Sequence, residues 1–233
     1  MTVQKTFMDF VVQTTQTIEH LQPKQEQKAL PQESNFKPKP DMMKALEVKN
    51  KIIRIWHSIE YKADFDKFLD IILSTLEHRE EDYMCAIKTE DKKTLNAYAE
   101  VFGVLYNYFI DGYYGDPLGT FYMEHYSHGH NSEYYTPWNV AYMMAQIINP
   151  QPHETVCDPC VGSGIMLLAA RCIIHENHGW LESSRYGRNL YGMDISNRAV
   201  KMAKINFYLT DYIYMICLMQ QAVIDVHKQM IPA

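Results

Sequence analysis

The hydrophobic positions of the chain follow two different patterns, one before and one after about residue 131. From Asp41 onward, apolar residues recur every three or four positions, which predicts amphipathic helices. The first helical run contains Leu46, Val48, Ile52, Ile53 and Trp56, the second contains Phe65, Phe68, Leu69, Ile72 and Leu73, and the third extends from Lys92 to Ile110. We therefore predict a helical module with aromatic packing over residues 41–131.

The chain before this module has a different composition. The stretch from Met1 to Leu21 shows an amphipathic pattern, with Phe7, Phe10, Val11 and Ile18 near one face. Residues 22–41 are rich in Gln, Lys and Pro, which is typical of a linker. We predict a flexible N-terminal segment over residues 1–40.

After residue 131, short apolar strands alternate with helices. The predicted elements are a helix over Pro137–Ile148, a strand over Thr155–Cys157, a glycine turn, a helix over Ile165–His175, a strand over Asn189–Met193 and a helix over Asn197–Leu209. The polar insertion at 176–188 must loop out between them. This order predicts an α/β domain with a parallel sheet and right-handed crossovers over residues 132–233.

The glycine turn is the first candidate for chemistry. Residues 156–164 read Val-Cys-Asp-Pro-Cys-Val-Gly-Ser-Gly, and glycines between a strand and a helix let a ligand approach the backbone. Asp158 is placed to accept a hydrogen bond from a cationic amine, whereas a carboxylate there does not suit a pyrophosphate at the helix N-terminus. This favours S-adenosylmethionine over a dinucleotide. Asp194, after the next strand, is placed to bind the two ribose hydroxyls.

Several segments resemble one family. Residues 158–164 resemble the Asp-Pro-Ala-x-Gly-Ser-Gly motif of adenine-N6 DNA methyltransferases, particularly the modification subunits of type I restriction systems and small phage-encoded relatives. Upstream, residues 116–124 resemble their Asp-x-Leu-Gly-x-x-Tyr-Met-Glu run, and residues 134–137 resemble their Phe-Tyr/Phe-Thr-Pro element. Residues 191–195 and the helix with Ala203 and Asn206 resemble the ribose-binding strand and the helix after it.

The resemblance, which covers roughly Gly112 to Leu209, implies a Rossmann-like S-adenosylmethionine-dependent methyltransferase fold, here with a truncated parallel sheet. It implies methyl transfer from S-adenosylmethionine to adenine N6 in DNA. It also assigns a cofactor-binding set, with the Thr-Pro element at the methionine end of the cofactor: Tyr135, Thr136, Pro137, Asp158, Cys160, Gly162, Gly164, Asp194 and Ile195.

One departure from the family pattern bears on activity. Members that methylate carry Asn/Asp-Pro-Pro-Tyr/Phe after the fourth strand, to position the adenine amine and stack on the flipped base. This sequence contains no Pro-Pro dipeptide. Asn149-Pro150-Gln151-Pro152 precedes the first strand and is expected to be a helix-stop turn. The catalytic residues stay unassigned, with Asp211 and Asp225 as weak candidates to hold the base edge.

Two functions therefore remain open. The chain is an impaired methyltransferase, or one that needs a partner to supply its catalytic loop. Alternatively, it is a non-catalytic binding or regulatory protein of a phage or plasmid, derived from a methyltransferase and acting through protein or DNA contacts.

Three other residue groups are expected to be structural. Cys157 and Cys160 form a Cys-x-x-Cys pair by coincidence, because no second pair accompanies them. The cluster of Glu124, His125, His128 and His130 has no standard metal-site spacing, so we expect a solvated loop and no metal site. Aromatic residues around the end of the third helical run are expected in the core or at a subunit contact rather than stacked on bases; these are Tyr106, Tyr108, Phe109, Tyr113 and Tyr114.

Charge and composition limit the partners. The net charge is −6 and the pI about 5.9, so no general basic surface holds DNA phosphates. Any DNA contact must be local or supplied by a partner. A lysine-bearing stretch is the local candidate, formed by Lys37, Lys39, Lys44, Lys49 and Lys51.

Cysteine usage and the apolar runs indicate the compartment and the quaternary state. Five cysteines in irregular spacing suit a reducing compartment. The chain start does not read as a signal peptide, and no apolar stretch is long enough for a membrane helix. We therefore expect a cytoplasmic protein. The run from Asp211 to Val226 is apolar on nearly all sides, which predicts a buried helix or a contact with a protein partner or a second copy.

Overall fold

The computed structural model describes residues 39–59, 63–126 and 134–211. In chain order the elements are β1 (Lys39–Pro40), α1 (Met42–His57), α2 (Phe65–Leu76), α3 (Glu80–Ile87), α4 (Lys92–Ile110), β2 (Tyr113–Tyr114), α5 (Pro117–Tyr126), α6 (Trp138–Ile148), β3 (Val156–Asp158), α7 (Ile165–His178), α8 (Trp180–Tyr186), a 3-10 turn (Gly187–Asn189), β4 (Leu190–Gly192) and α9 (197–211). The predicted N-terminal helix, most of the linker and the apolar run after Asp211 lie outside the described residues.

Three helices of the first half start at an aspartate. The Asp41 carboxylate accepts the main-chain N–H groups of Met43 and Lys44. Asp64 and Asp91 cap α2 and α4 in the same way, each accepting one N–H from the first turn. These bonds satisfy donors that a helix start leaves without an intrahelical partner. The α4 boundaries agree with the periodicity of the sequence.

The largest core is aromatic and lies among α1, α2, α4 and α5. Trp56 is at its centre, with ring centroids 5.5 Å from Tyr98 and 5.4 Å from Phe121. Phe65 and Phe68 approach Trp56 edge-on. Rings of this size bury large apolar areas, and edge-on contacts add favourable electrostatics. The helical module therefore packs around the indole of Trp56.

This core continues beyond the predicted module boundary. Tyr135 and the inner face of α9 belong to the same cluster of buried residues, the latter through Ala199, Met202, Ile205 and Leu209. Arg198, in the first turn of α9, donates hydrogen bonds to both carboxylate oxygens of Asp66 on α2. The boundaries at residues 40 and 131 remain predictions. Side chains of α9 pack in the same core as the helices that precede residue 131.

The two short sheets are both parallel. β3 pairs with β4 in the register Val156 with Leu190, Cys157 with Tyr191 and Asp158 with Gly192, and β1 pairs with β2. A parallel β3–β4 pair joined through a helix is the arrangement that the alternation of strands and helices predicts. The described residues form a mostly helical structure in which each sheet has two strands, and β3 and β4 are each three residues long.

The polar insertion is a correction to the sequence prediction. It does not loop out but forms α8 and the 3-10 turn, packed on α7. Ser183 is buried and its hydroxyl donates to the main-chain oxygen of Arg171 at 3.0 Å. Tyr186 is buried with Ala170 and Ile174. Because only scattered side chains face inward, the polar composition hides the helix.

Helix α6 has two apolar faces. Trp138, Ala141 and Ala145 pack against α7. The opposite face is exposed and follows the helical spacing through Val140, Met143, Met144, Ile147 and Ile148. Within the described ranges, no helix has the length and apolar character that crossing a bilayer requires.

Candidate functional site

The glycine turn after β3 is shaped by two left-handed residues. Gly162 has φ 53° and Gly164 has φ 91°, conformations that side chains rarely adopt. A Cβ at Gly162 would lie 2.8 Å from Cδ1 of Tyr135, and one at Gly164 would lie 3.2 Å from Cβ of Ala203. The turn is therefore pressed between the Tyr135 ring and α9, with room for glycine alone at 162.

Main-chain hydrogen bonds join the turn to the end of β4. The Met193 N–H donates to the oxygen of Asp158 at 2.9 Å, and the Val161 N–H donates to the oxygen of Met193 at 2.8 Å. A Cβ at Gly192 would meet Cγ2 of Val161 at 2.6 Å. This close approach sets the end of β4 directly against the turn.

Asp158 organises the first half of the turn. Its Oδ1 accepts the main-chain N–H of Cys160 at 3.0 Å, and the residue is half-buried at the carboxyl end of β3. The thiol of Cys160 is exposed. Cys160 therefore contributes to the turn through its main-chain N–H.

Asp194 organises the second half from the neighbouring strand. Its Oδ2 accepts the Gly162 N–H at 2.9 Å and its Oδ1 accepts the Ser196 N–H at 2.8 Å. A carboxylate offers about four lone-pair sites, so each oxygen retains capacity for a further donor. The next residue, Ile195, is fully exposed beside it.

The Tyr-Thr-Pro segment forms the wall opposite the strands. Tyr135 is buried, its N–H donates to Sδ of Met123 at 2.9 Å, and its ring contacts the turn at Gly162. Thr136 is half-buried, and Pro137 caps the start of α6 with extended backbone. The structure thus brings Tyr135, Gly162 and Asp194 together. Thr136 and Pro137 directly follow Tyr135 in the chain.

Sequence reasoning missed a buried polar network behind the turn. Asp116 accepts hydrogen bonds from the Gly119 N–H, the Ser163 hydroxyl and the Asn206 amide. Burial raises the pKa of Asp116, although these donors oppose the effect. The available signal was that three of the five segments of family resemblance contain Asp116, Ser163 and Asn206, one residue in each.

The comparison with known families identifies the family of the chain. Residues 98–221, more than half of the chain, match the model of the family described as N-6 DNA Methylase. The chain belongs to the N-6 DNA methylase family. No solved structure matches it. The matched range contains the three polar network residues and all the predicted cofactor-binding residues of this methylase-family chain.

Two weaker candidates for methylase chemistry have structural positions. Asn149 ends α6 in the left-handed conformation, φ 47° and ψ 61°, which confirms the helix-stop interpretation. Asp211 pairs with the buried guanidinium of Arg171 at 2.5 Å, and Asp225 lies outside the described residues. Neither described residue belongs to the turn.

Two lysines of the lysine-bearing stretch are paired with acidic side chains in this methylase-family protein. Lys49 is buried, with its Nζ on Glu124, and Lys44 pairs with Glu47 at 3.0 Å. Both lysines lie on α1, which places their ammonium groups beside these acidic side chains. Lys51 is exposed, and Lys37 lies outside the described residues.

The remaining sequence candidates are also located. His125 stacks on Phe121 with ring centroids 5.5 Å apart, whereas His128 and His130 lie outside the described residues. Across the described part of the chain, no three His, Cys, Asp or Glu side chains are arranged to hold a metal ion. In the aromatic stripe, the core position is confirmed for Tyr108, Phe109 and Tyr114.

Proposed function

We propose that this N-6 DNA methylase family member binds S-adenosylmethionine at the turn between β3 and α7. The observation that carries the proposal is the arrangement of Asp158 and Asp194, whose strands are parallel neighbours and whose carboxylates both hold N–H groups of one turn. Ligands of parallel α/β folds bind at the carboxyl ends of the strands. We propose a Rossmann-like fold for this chain, with residues 132–233 as its cofactor-binding part.

Each side of the proposed pocket has a role that its chemistry suits. Asp158 attracts the amino group and the sulfonium charge of the cofactor, and the Tyr135-Thr136-Pro137 segment borders its methionine end. Asp194 accepts from the ribose hydroxyls with the lone pairs that the main chain leaves available. Ile195 offers an exposed apolar surface to the adenine ring. When bound, S-adenosylmethionine supplies the activated methyl group.

The proposed activity is methyl transfer to adenine N6 in DNA. The chain has no Pro-Pro dipeptide, so the group that positions the target amine is a diverged loop of this chain or a loop from a partner protein. The negative net charge supports a partner that also supplies DNA contacts. We place the protein in the cytoplasm because its cysteines follow no disulfide pattern.

Titration calorimetry with S-adenosylmethionine and with its demethylated product tests the pocket. We expect micromolar binding by the wild type, and loss of binding in Asp158→Ala and Asp194→Ala with the fold retained. Glu100→Ala, which removes an exposed acid from α4, is the matched control and should bind as the wild type does. Unchanged affinity in Asp194→Ala would refute the proposed ribose contact.

A methylation assay separates the two functions that the sequence leaves open. Transfer of labelled methyl groups to adenine-containing DNA by the purified protein supports an active enzyme. Transfer that requires added cell extract supports a partner-dependent one. Cofactor binding without transfer in either condition supports a non-catalytic binding or regulatory protein.

One observation favours protein contact as part of the function. The exposed face of α6 carries apolar side chains at helical spacing, and no residue of α6 is charged. Exposed apolar patches of this kind mark protein contacts. A second copy of the chain fits such a face because α6 carries no charged residue that would repel the α6 of the other copy. Sedimentation velocity of the wild type should show a dimer, and Met143→Lys should convert it to a monomer. A wild-type protein that sediments as a monomer would contradict the proposed dimer.

A further inference from the structure

Asp116 lies outside the glycine motif but behind it in space. It precedes Pro117, the first residue of α5, and is 6% exposed. Its Oδ1 accepts the N–H of Gly119 at 2.7 Å, and its main-chain oxygen accepts the N–H of Thr120 at 3.1 Å. These bonds cap the start of α5. The cap uses only Oδ1 of the carboxyl group, and Oδ2 is available for a different donor.

The second oxygen of Asp116 holds the glycine turn. The hydroxyl of Ser163, between the two left-handed glycines, donates to Oδ2 of Asp116. Ser163 is completely buried and therefore has no solvent to bond instead. The Ser163 hydroxyl donates to this oxygen, and the bond fixes the direction of its O–H group.

Asn206 joins the same network from α9. Its Nδ2 donates to Oδ1 of Asp116 and to the main-chain oxygen of Ser163, both at 3.0 Å. Thr210 donates to the main-chain oxygen of Asn206, one turn later in α9. The network thus connects the N-terminus of α5, the turn and α9 through buried polar atoms.

Close packing supports this connection. A Cβ at Gly119 would lie 2.1 Å from Oδ2 of Asp116 and 2.8 Å from Oγ of Ser163. No side chain larger than hydrogen fits there while both bonds remain. A buried carboxylate held by neutral donors is costly, and the donors of Asp116 are a main-chain N–H, a hydroxyl and an amide. A purely apolar contact would connect the same elements at lower cost.

We propose that Asp116 is a positioning residue for the cofactor pocket: through Ser163 it fixes the main-chain orientation at Gly162 and Gly164. This inference rests on the proposed function for its effect on affinity. Its structural part, the geometry of the turn, is measurable without cofactor. Asp158 and Asp194 hold the turn from the solvent side, and Asp116 holds it from the core side.

The test compares Ser163→Ala with Ser183→Ala. Both serines are buried and each donates one hydroxyl hydrogen bond, but the Ser183 bond joins α8 to Arg171 in α7 and does not involve the turn. We expect similar losses of stability, and about a tenfold or greater rise in the Kd for S-adenosylmethionine for Ser163→Ala alone. Equal affinities in the two variants would overturn the positioning role.

A conservative replacement adds a second measurement. In Asp116→Asn the amide oxygen can accept from Gly119 and Asn206. The amide nitrogen can donate to Oγ of Ser163, which reverses the direction of that bond but leaves the heavy atoms of the network in contact. We expect affinity within about threefold of the wild type, against a loss of about tenfold or more in Asp116→Ala. If Asp116→Asn weakens binding as much as Asp116→Ala does, the shape-based role is wrong.

Nitrogen-15 correlation spectra of the cofactor-free proteins keep the two proposals distinguishable. The amide signals of Gly162 and Gly164 should move in Ser163→Ala and stay in place in Ser183→Ala. If these signals move only in Ser163→Ala and the wild type binds no S-adenosylmethionine, the proposed function is refuted. The effect of Asp116 and Ser163 on the geometry of the turn is then still supported. Unmoved glycine signals overturn the positioning role, as does failure of both Ser163→Ala and Asp116→Asn to fold while Ser183→Ala folds.

Discussion

The aromatic core and the glycine turn are stabilised in contrasting ways. The core around Trp56 consists of large rings in mutual contact, contributed by four helices. The turn has no ring of its own and is joined to three-residue strands. It is held by hydrogen bonds to Asp158 and Asp194, and by the wall that Tyr135 provides.

This contrast separates stability from pocket geometry. Removing apolar area from the core should affect the whole protein, because the burial of rings is the larger free-energy contribution. Changing the turn should affect the core less than it affects binding, because the turn contributes no aromatic ring to that core. Tyr135 belongs to both regions, since its ring lies in the aromatic core and against Gly162.

The largest expected effect is the loss of the central indole. Trp56→Ala removes contacts with five aromatic rings and the hydrogen bond from Nε1 to the Tyr126 hydroxyl at 2.7 Å. We expect the free energy of unfolding to fall by about 3–5 kcal/mol, measured by urea denaturation. Tyr134→Ala, at a position 79% exposed, should change it by less than about 0.5 kcal/mol. Equal effects would show that Trp56 is not central to the core.

A glycine replacement in the turn should weaken binding and should cost less stability than Trp56→Ala does. Gly162→Ala places a Cβ at φ 53°, against the Tyr135 ring, and should destabilise the fold by about 1–3 kcal/mol. We expect S-adenosylmethionine affinity to fall about tenfold or more by calorimetry. The control is Gly103→Ala in α4, where a Cβ meets nothing within 4 Å; it should be neutral or stabilising by about 0.5–1 kcal/mol. A stable, fully binding Gly162→Ala would contradict the close fit.

The Arg198–Asp66 pair should give a smaller, pH-dependent effect. Hydrogen bonds from Arg198 lower the pKa of Asp66, so the pair stabilises the protein above the unfolded pKa of about 3.9 and loses this effect as the pH falls through the folded value. Because both groups are partly exposed, Arg198→Met should cost at most about 1 kcal/mol near neutral pH.

Urea denaturation at about pH 7 and about pH 3 measures this difference. The gap between wild type and Arg198→Met should narrow at the lower pH. Arg185→Met, which breaks an exposed pair with Glu182 on α8, serves as the control and should cost less at both pH values. A gap that widens in acid would have the wrong sign for a lowered Asp66 pKa.

The smallest effect is expected at Cys160. Its contribution to the turn is a main-chain N–H donated to Asp158, and its thiol is exposed. Cys160→Ala should therefore change the Kd for S-adenosylmethionine by no more than about twofold. A tenfold loss in calorimetry would instead assign a direct contact to the thiol.

The sequence predicted elements with strong periodicity and missed those without it. The bounds of α4 follow directly from its apolar spacing, and β3 is displaced by one residue from its predicted position. Helix α3 has no buried residue, so no apolar period marks it. The polar composition of α8 predicts a loop, because only a few of its residues, such as Ser183 and Tyr186, are buried.

The candidate site could be predicted where a local pattern or a family motif marks its residues. The turn and its two strand-tip acids follow local rules of strand, turn and helix. The partners of Asp116 lie 47 and 90 residues away along the chain, and nothing in spacing or composition connects them. Such contacts depend on how α5, α7 and α9 pack, which a pattern of single residues does not specify.

The contact of Gly192 with Val161 also restricts how this protein can evolve. Any side chain at 192 must displace Cγ2 of Val161, a branched residue that is itself buried. A methyl group at 192 is accommodated more easily after 161 has become smaller, so the effects of the two substitutions on stability should not be additive. Val161 and Gly192 therefore form an epistatic pair, and descendants of this sequence are expected to change them together.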